Sequence, residues 1–344
     1  VSLDLSSRGT ILGIETSCDE TSAAVLRKGK LASVVVSSQF FHEKFGGVVP
    51  ELASRAHVRS ILPIIREALR QAETEVDAID AVAVTHAPGL MGSLLVGLNV
   101  AKGLSLGLGI PLVGVHHIEA HIFSALLEEE KPQLPFIALV VSGGHTLLLE
   151  VMEVGNYNFL GETLDDAAGE AFDKVGKMLG LGYPAGPEID RIAREGNPTY
   201  IKFPRAMLNE ASYDFSFSGI KTSVLQWLKK HASEEYALAD LAASFQRAIV
   251  DVLVTKAVRA AEKHGIRDIV CAGGVSANSE LRERFRKECT ERGMQCFVPR
   301  PLFSTDNAAM IAMLGALKLE RGIVNDLSLT ALPRLPLAER PHIQ

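Results

Sequence analysis

Residues 11–15, ILGIE, form an apolar run that stops at a polar turn, TSCDET at 16–21. A second apolar run, SAAVLR at 22–27, leads through Lys28-Gly29 to LASVVVSS at 31–38. Short apolar runs punctuated by small polar residues predict strands joined by turns. Helical patterning covers about 50–72, and a further strand is predicted over AIDAVAVTH at 78–86. The stretch 89–115, GLMGSLLVGLNVAKGLSLGLGIPLVGV, is long and apolar enough to span a bilayer. Asn99 and Lys102 interrupt it, its glycines are many, and Pro111 breaks it. It reads instead as a buried helix at about 92–107 followed by a buried strand at about 111–115. That rhythm belongs to a covered sheet in an α/β protein, so no membrane span is expected.

The pattern restarts at Phe136. FIALVVSGGHTLLLEVMEV is again an apolar strand, a turn of small polar residues and a returning strand, about 125 residues after the first. A repeat that long is no solenoid; it predicts two related domains, each a sheet with helices. A helix at about 165–180, a Gly/Pro loop GYPAGP at 182–187 and a helix from Glu188 follow. A long helix is expected at about 236–264, then a strand running into a Gly turn, IRDIVCAGGVSAN at 266–278. Ser304 to Asn307 look like the cap region of a last helix.

Composition changes the picture little. The 344 residues suit two domains, and 47% hydrophobic with 22% charged residues is ordinary for a globular core. A net charge of −6 gives no global basic field for nucleic acid, so such contact has to be local. The four cysteines show no CxxC spacing, which favours a reducing, intracellular compartment. The first ten residues hold Asp4 and no apolar run, so no signal peptide is expected there.

Candidate chemistry concentrates in VHHIEAHI at 115–122, which holds three of the ten histidines. His117 and His121 stand four apart, on one helix face with Cβ atoms about 5–6 Å apart. That spacing suits chelation of one divalent metal through imidazole nitrogens; a pair of surface or interface histidines has the same spacing. The zincin order is H-E-x-x-H. Here Glu119 lies two positions after His117, about 200° around the helix and facing away. Asp306, in STDNAAM, supports two readings. It is a helix cap or first-turn residue, or it completes a His-His-Asp site with open positions for substrate.

Three turns suggest a nucleotide. VVSGGHT offers backbone amides around Val140, Val141, Ser142, Gly143 and Gly144. TSCDET, at the matching place in the first copy, offers hydroxyls and the carboxylates of Asp19 and Glu20. CAGGVSAN ends in Asn278, an amide suited to a base or ribose. One Gly-Gly turn is an ordinary hairpin feature; three in a duplicated α/β chain point to a nucleotide between two lobes. Asp173 and Asp190 are either exposed helical charges or, beside Gly182, Gly186 and Pro187, ribose or base contacts. LDDAAGEAFD reads as a solvated acidic face, and RKGK, KK and LRERFRKE as solvated basic ones.

GIETSCDET, THAPGLMGSLLVGL, HHIEAH, VSGGHT, TLDDAAGEAFDKV, GYPAGP, FSFSGIKTS, AGGVSAN and STDNAAM occur in this order between about Ile11 and Gly315. With these motifs the chain closely resembles the TsaD family, the bacterial tRNA N6-adenosine threonylcarbamoyltransferases once labelled glycoproteases. The resemblance implies a duplicated actin-like and Hsp70-like ATPase fold, two lobes around a nucleotide and metal cleft. The lobes are drawn as 1–133 with 307–344, and 134–306. It implies transfer of threonylcarbamoyl from threonylcarbamoyl-adenylate to N6 of adenosine 37 in tRNAs reading ANN codons, with release of AMP. It implies one divalent metal, Fe(2+) before Zn(2+), on His117, His121 and Asp306. Nucleotide contacts carry over to Val140, Val141, Ser142, Gly143, Gly144, Asp173, Gly186, Asp190 and Asn278. TsaB and TsaE are the expected protein partners, and the cytoplasm the expected location. Asp19 or Glu20 is the candidate proton acceptor. Three positions depart from the family pattern: Ala87 and Ala185 replace glycines and Ser304 a cysteine. None removes a ligand; Ala185 is expected to tighten the loop near the nucleotide. A metalloprotease, the older label, and a sugar-kinase-like enzyme on the same fold remain the alternatives.

Overall fold

The structure is a computed structural model that describes residues 9–338. Near the N-terminus, β1 (Thr10–Glu15), β2 (Glu20–Arg27) and β3 (Lys30–Ser38) form an antiparallel meander. α1 (Pro50–Gln71), β4 (Ala81–Ala87), α2 (Met91–Leu108) and β5 (Leu112–His116) follow, and α3 (His117–Phe123) starts where β5 stops. β4 lies parallel to β1 and β5 parallel to β4, giving the order β3-β2-β1-β4-β5. Helices cover both faces of the parallel part, so β1, β4 and β5 are apolar almost throughout and buried.

The second sheet repeats the first. β6 (Phe136–Val141), β7 (Thr146–Glu153) and β8 (Asn156–Glu162) form the meander. α4 (Ala168–Met178), α5 (Gly186–Ala193), α6 (Ser218–Lys230) and α7 (Leu238–His264) intervene before β9 (Asp268–Ala272). α8 (Ser279–Glu291) and β10 (Gln295–Phe297) complete the order β8-β7-β6-β9-β10. β9 is parallel to β6 and β10 to β9. The duplication read from the two strand–turn–strand starts is therefore a duplication of sheet topology.

After the short α9 (Pro301–Ser304) comes α10 (Ala308–Glu320), the last helix among the described residues. By packing, residues 9–131 and 305–338 form one compact unit and 132–304 the other. Residue 306, drawn with the second lobe from sequence, groups with the first unit beside both histidines.

α10 is buried at every residue from Ala308 to Leu317 and lies directly on β1. Gly13 makes this possible: a Cβ there would sit 2.4 Å from the Ala308 carbonyl oxygen. The Ser22 hydroxyl accepts the Ala308 amide at 2.9 Å, fixing the start of α10 over the sheet.

Two expectations need correction. α2 is not a buried helix: Ser93, Leu94, Gly97, Leu98 and Ala101 are buried, whereas Leu95 and Leu106 are 42% and 70% exposed. Asn99 and Lys102 share one helical stripe with Leu95 and Leu106, and that stripe is the side turned away from the core. α2 is the one helix, among the described residues, long and apolar enough to cross a membrane. The acidic run at 164–173 is not simply a solvated face. Asp165 accepts hydrogen bonds from the Ser216 and Ser218 hydroxyls and the Phe217 amide, and Asp166 pairs with Lys174 and Lys221. Together they fasten the start of α4 to the start of α6.

Gly13→Ala is expected to lower stability by about 2–3 kcal/mol, since backbone rather than a pliable side chain blocks the new methyl. Urea unfolding of the purified variant against the parent measures it.

Candidate metal centre

α3 begins immediately after β5, the edge strand of the first sheet, so its first residues emerge at the C-terminal end of the parallel strands. His116 ends β5 and caps the helix, its Nδ1 accepting the Glu119 amide at 3.4 Å. Its Nε2 lies 2.9 Å from the Leu335 carbonyl oxygen, and burial holds its pKa down at about 4. The third histidine of the motif is thus a neutral structural cap, not a ligand.

His117 and His121 occupy one face of α3, their rings edge to face with centroids 4.7 Å apart. Both aim Nε2 at one oxygen of Asp306: His117 at 3.4 Å and His121 at 3.1 Å. Asp306 is not the residue that caps α10. Asn307 caps α10, accepting the Met310 amide at 3.0 Å, which leaves the Asp306 carboxylate for the histidines.

The arrangement fits an ion. The three candidate ligand atoms lie within 4.8 Å of one another. Nitrogen and oxygen ligands about 2.0–2.2 Å from a common ion stand roughly 3–3.5 Å apart when tetrahedral, which is the spacing of each histidine from Asp306. Two histidines and one carboxylate leave further coordination positions open.

Glu15, at the end of β1, orients the site, and sequence reasoning missed it. Its carboxylate is fully buried. Oε2 lies 3.2 Å from His117 Nδ1 and accepts the Thr85 hydroxyl at 2.5 Å; Oε1 accepts the Ser17 amide. A carboxylate on Nδ1 keeps the proton there and turns the Nε2 lone pair outward, the usual support of a metal-binding histidine. The sole signal in the sequence was a carboxylate closing an otherwise apolar strand. His121 has no such anchor; its Nδ1 is buried without a hydrogen-bond partner.

Without an ion the site stores charge. Burial works against ionisation of His117, but the Asp306 and Glu15 carboxylates outweigh it and lift its pKa well above the usual value. Burial also opposes ionisation of Asp306, and charged His117 with two hydrogen bonds outweighs that, holding it well below its usual range. His121 stays neutral, its pKa lowered by burial. Glu20 is pushed up to about 9, first by burial and then by Asp306 and Asp19. The Cys18 thiol is driven far up by burial and neighbouring carboxylates, so it is no nucleophile.

Glu119 is where helix geometry put it, away from the histidines. Its carboxylate forms a buried ion pair with Lys318 at 2.9 Å.

The residues carried over to nucleotide contact lie in the second unit and form a connected chain. Ser142–His145 is a tight turn closed by the Ser142 amide on the His145 carbonyl at 2.8 Å, with Gly143 and Gly144 exposed at its tip. Val140 and Val141 are buried strand residues behind it. α4 starts against this turn: the Thr146 hydroxyl accepts the Ala168 amide and the Ser142 carbonyl accepts the Gly169 amide. Four residues further along α4, Asp173 accepts the Ala185 amide at 2.8 Å, setting the loop before Gly186. The buried Ala185 methyl packs against Gly176, where an added Cβ would lie 2.0 Å from it. On α5, Asp190 accepts the Ser279 hydroxyl at 2.7 Å, next to Asn278, whose amide donates to Gln246 at 2.6 Å.

Solved structures share this architecture at low identity. Full-length HypF in a phosphate- and nucleotide-bound form aligns at TM-score 0.60 and 13% identity, over 91% of this chain and 47% of that one. The activator of the 2-hydroxyisocaproyl-CoA dehydratase from Clostridium difficile aligns at 0.52 and 13%, over 92% and 99%. The fold is that of the actin- and Hsp70-like ATPases, here carrying a two-histidine, one-carboxylate site. The sequence model of the TsaD family, tRNA N6-adenosine threonylcarbamoyltransferase, matches residues 30–313. A relative of that name from Symbiobacterium thermophilum is 52% identical over 334 residues, 96% of this chain and 98% of its own. Another, from Chlorobium luteolum, is 55% identical over 327 residues, 91% and 94% respectively. The chain belongs to the TsaD family and is a transferase.

Two outcomes follow from the charges. Glu15→Gln is expected to weaken divalent-metal affinity by about 10–100-fold, read by competition with a chelator. In metal-free protein, Glu20 ionises near 4.5 when unfolded but near 9 when folded. The unfolded chain loses this proton first as pH rises, so the group costs stability increasingly across that window. Glu20→Gln removes the cost. Its stability advantage over the parent is expected to be near zero at the acid end and to grow toward pH 9, measured by urea unfolding in the presence of a chelator.

Proposed function

We propose that the protein transfers threonylcarbamoyl from threonylcarbamoyl-adenylate to N6 of adenosine 37 in tRNAs reading ANN codons, releasing AMP. The observation that carries this reading is the convergence of His117, His121 and Asp306 in a chain of this family. These three residues would hold one divalent ion, Fe(2+) before Zn(2+). A bound ion there supplies Lewis acidity toward the carbamoyl carbonyl and a grip on the threonyl part.

The remaining work falls to the chain. The open amides of Gly143 and Gly144, with Val140, Val141 and Ser142 behind them, receive the AMP phosphate and stabilise its charge as it leaves. Asp173 and Gly186 shape the loop against which the nucleoside rests, and Asp190 and Asn278 present polar atoms to ribose and base. The N6 amine attacks the carbamoyl carbon, the bond to the phosphate oxygen breaks, and N6 gives up a proton. The mixed anhydride is already activated, so no protein nucleophile is needed. Asp19 is the proposed proton acceptor; Glu20, held protonated by burial, suits that role less. Positioning supplies much of the rate. TsaB and TsaE are the proposed protein partners for tRNA delivery and turnover, and the cytoplasm, where tRNA is modified, the proposed location.

The protease alternative loses Glu119 as its base, because that carboxylate is paired with Lys318. A kinase would have no use for the histidine pair.

His121→Ala is expected to cut transfer by about 100-fold or more while the fold persists. Mass spectrometry of adenosine 37, after incubation with the adenylate, metal and partners added in turn, measures it. Undiminished transfer by this variant would remove the ion from the scheme.

A further inference from the structure

The glutamate between the two histidines has no part in the proposed chemistry, yet it is buried and charged. We infer that Glu119 and Lys318 are positioning residues: their ion pair is a strut that sets the spacing between the histidine pair and Asp306. The inference rests on the metal reading above.

α3 has seven residues, too few to hold a helix or an orientation by itself. Its placement therefore comes from what grips it. Its front carries His117 and His121; Glu119, about half a turn away, is its back. The Glu119 side chain is 4% exposed and that of Lys318 14%, with Nζ and Oε2 2.9 Å apart. Lys318 lies on α10, the helix whose leading residues present Asp306. Lys318 Nζ also lies 3.5 Å from the Gly114 carbonyl oxygen on β5, the strand that feeds α3. One ammonium thus reaches both α3 and the strand beneath it, from the helix that supplies the third ligand. α10 is itself held in place, buried from Ala308 to Leu317 and seated on Gly13. A buried charge pair tolerates little change in separation, and van der Waals packing alone, as between Ile118 and its neighbours, slides more easily. For three donors that must meet one ion, this directional contact fixes what packing leaves loose.

Removing one partner leaves a buried charge unpaired and threatens the fold, whereas replacing both with apolar side chains of similar volume is close to neutral. The test therefore uses Glu119→Leu with Lys318→Met, and Glu119→Asp, which keeps the charge but shortens its reach. Each is loaded with Co(2+) against a competing chelator, and the visible d–d absorption recorded, beside the parent and His121→Ala. The expected result is a folded double variant, by circular dichroism and melting temperature, that binds Co(2+) about 10-fold or more weakly with an altered visible band. Glu119→Asp is expected to move the same way by a smaller factor. Parental affinity with a parental band, in either variant that folds, overturns the strut while leaving the metal site intact. Binding by the parent no tighter than by His121→Ala overturns the metal site itself, and the strut with it.

Discussion

The hydrogen bond between Glu15 and His117 is the contact on which the first unit's site depends. It spans 102 residues of sequence and joins the first strand to the helix after the fifth. A buried carboxylate is costly unless something compensates it, and here the Ser17 amide, the Thr85 hydroxyl and the imidazole all do. The return on that cost is a fixed tautomer. With one ring nitrogen committed, His117 has a single lone pair to give, and its direction is set by the rigid centre of a sheet.

The same logic organises the surrounding turn. Thr16 gives its hydroxyl proton to the Ser93 carbonyl and accepts the Gly97 amide, so α2 holds the β1–β2 turn from one side. His57 holds it from another, its Nε2 lying 2.9 Å from the Cys18 carbonyl oxygen and its Nδ1 bonding the Thr21 hydroxyl. Asp19 and Glu20 are thus displayed on a turn clamped by α1 and α2 rather than on a free loop. In the second unit the equivalent turn, Ser142–His145, is braced by the start of α4 instead. Two copies of one topology have therefore diverged in what grips their first hairpin, one displaying acids and the other bare amides.

Much of this was legible in the sequence, for identifiable reasons. Short apolar runs and small polar turns gave away the strands, and two similar starts gave away the duplication. An i,i+4 histidine pair depends only on local geometry, so His117 and His121 could be read directly. Asp306 stayed ambiguous because Asp at a helix start is a common cap, and only the structure assigns that duty to Asn307. Glu15 was invisible for a different reason: its partners lie far along the chain, and a strand-end carboxylate advertises nothing by itself. Asp19 and Glu20 stand out instead, because two adjacent carboxylates in a polar turn look chemical. α2 misled because its apolar residues outnumber Asn99 and Lys102, the two polar positions that mark its outer stripe.

The first unit is discontinuous, and this has a consequence for how the protein is made. A ribosome completes His117 and His121, then the whole of the second unit, and only afterwards the segment bearing Asp306. A nascent or prematurely terminated chain therefore carries two of the three donors and lacks the helix that seals β1. On the metal reading proposed above, capacity to hold an ion at this place would arise only once the segment bearing Asp306 has been made and has folded back onto the first unit.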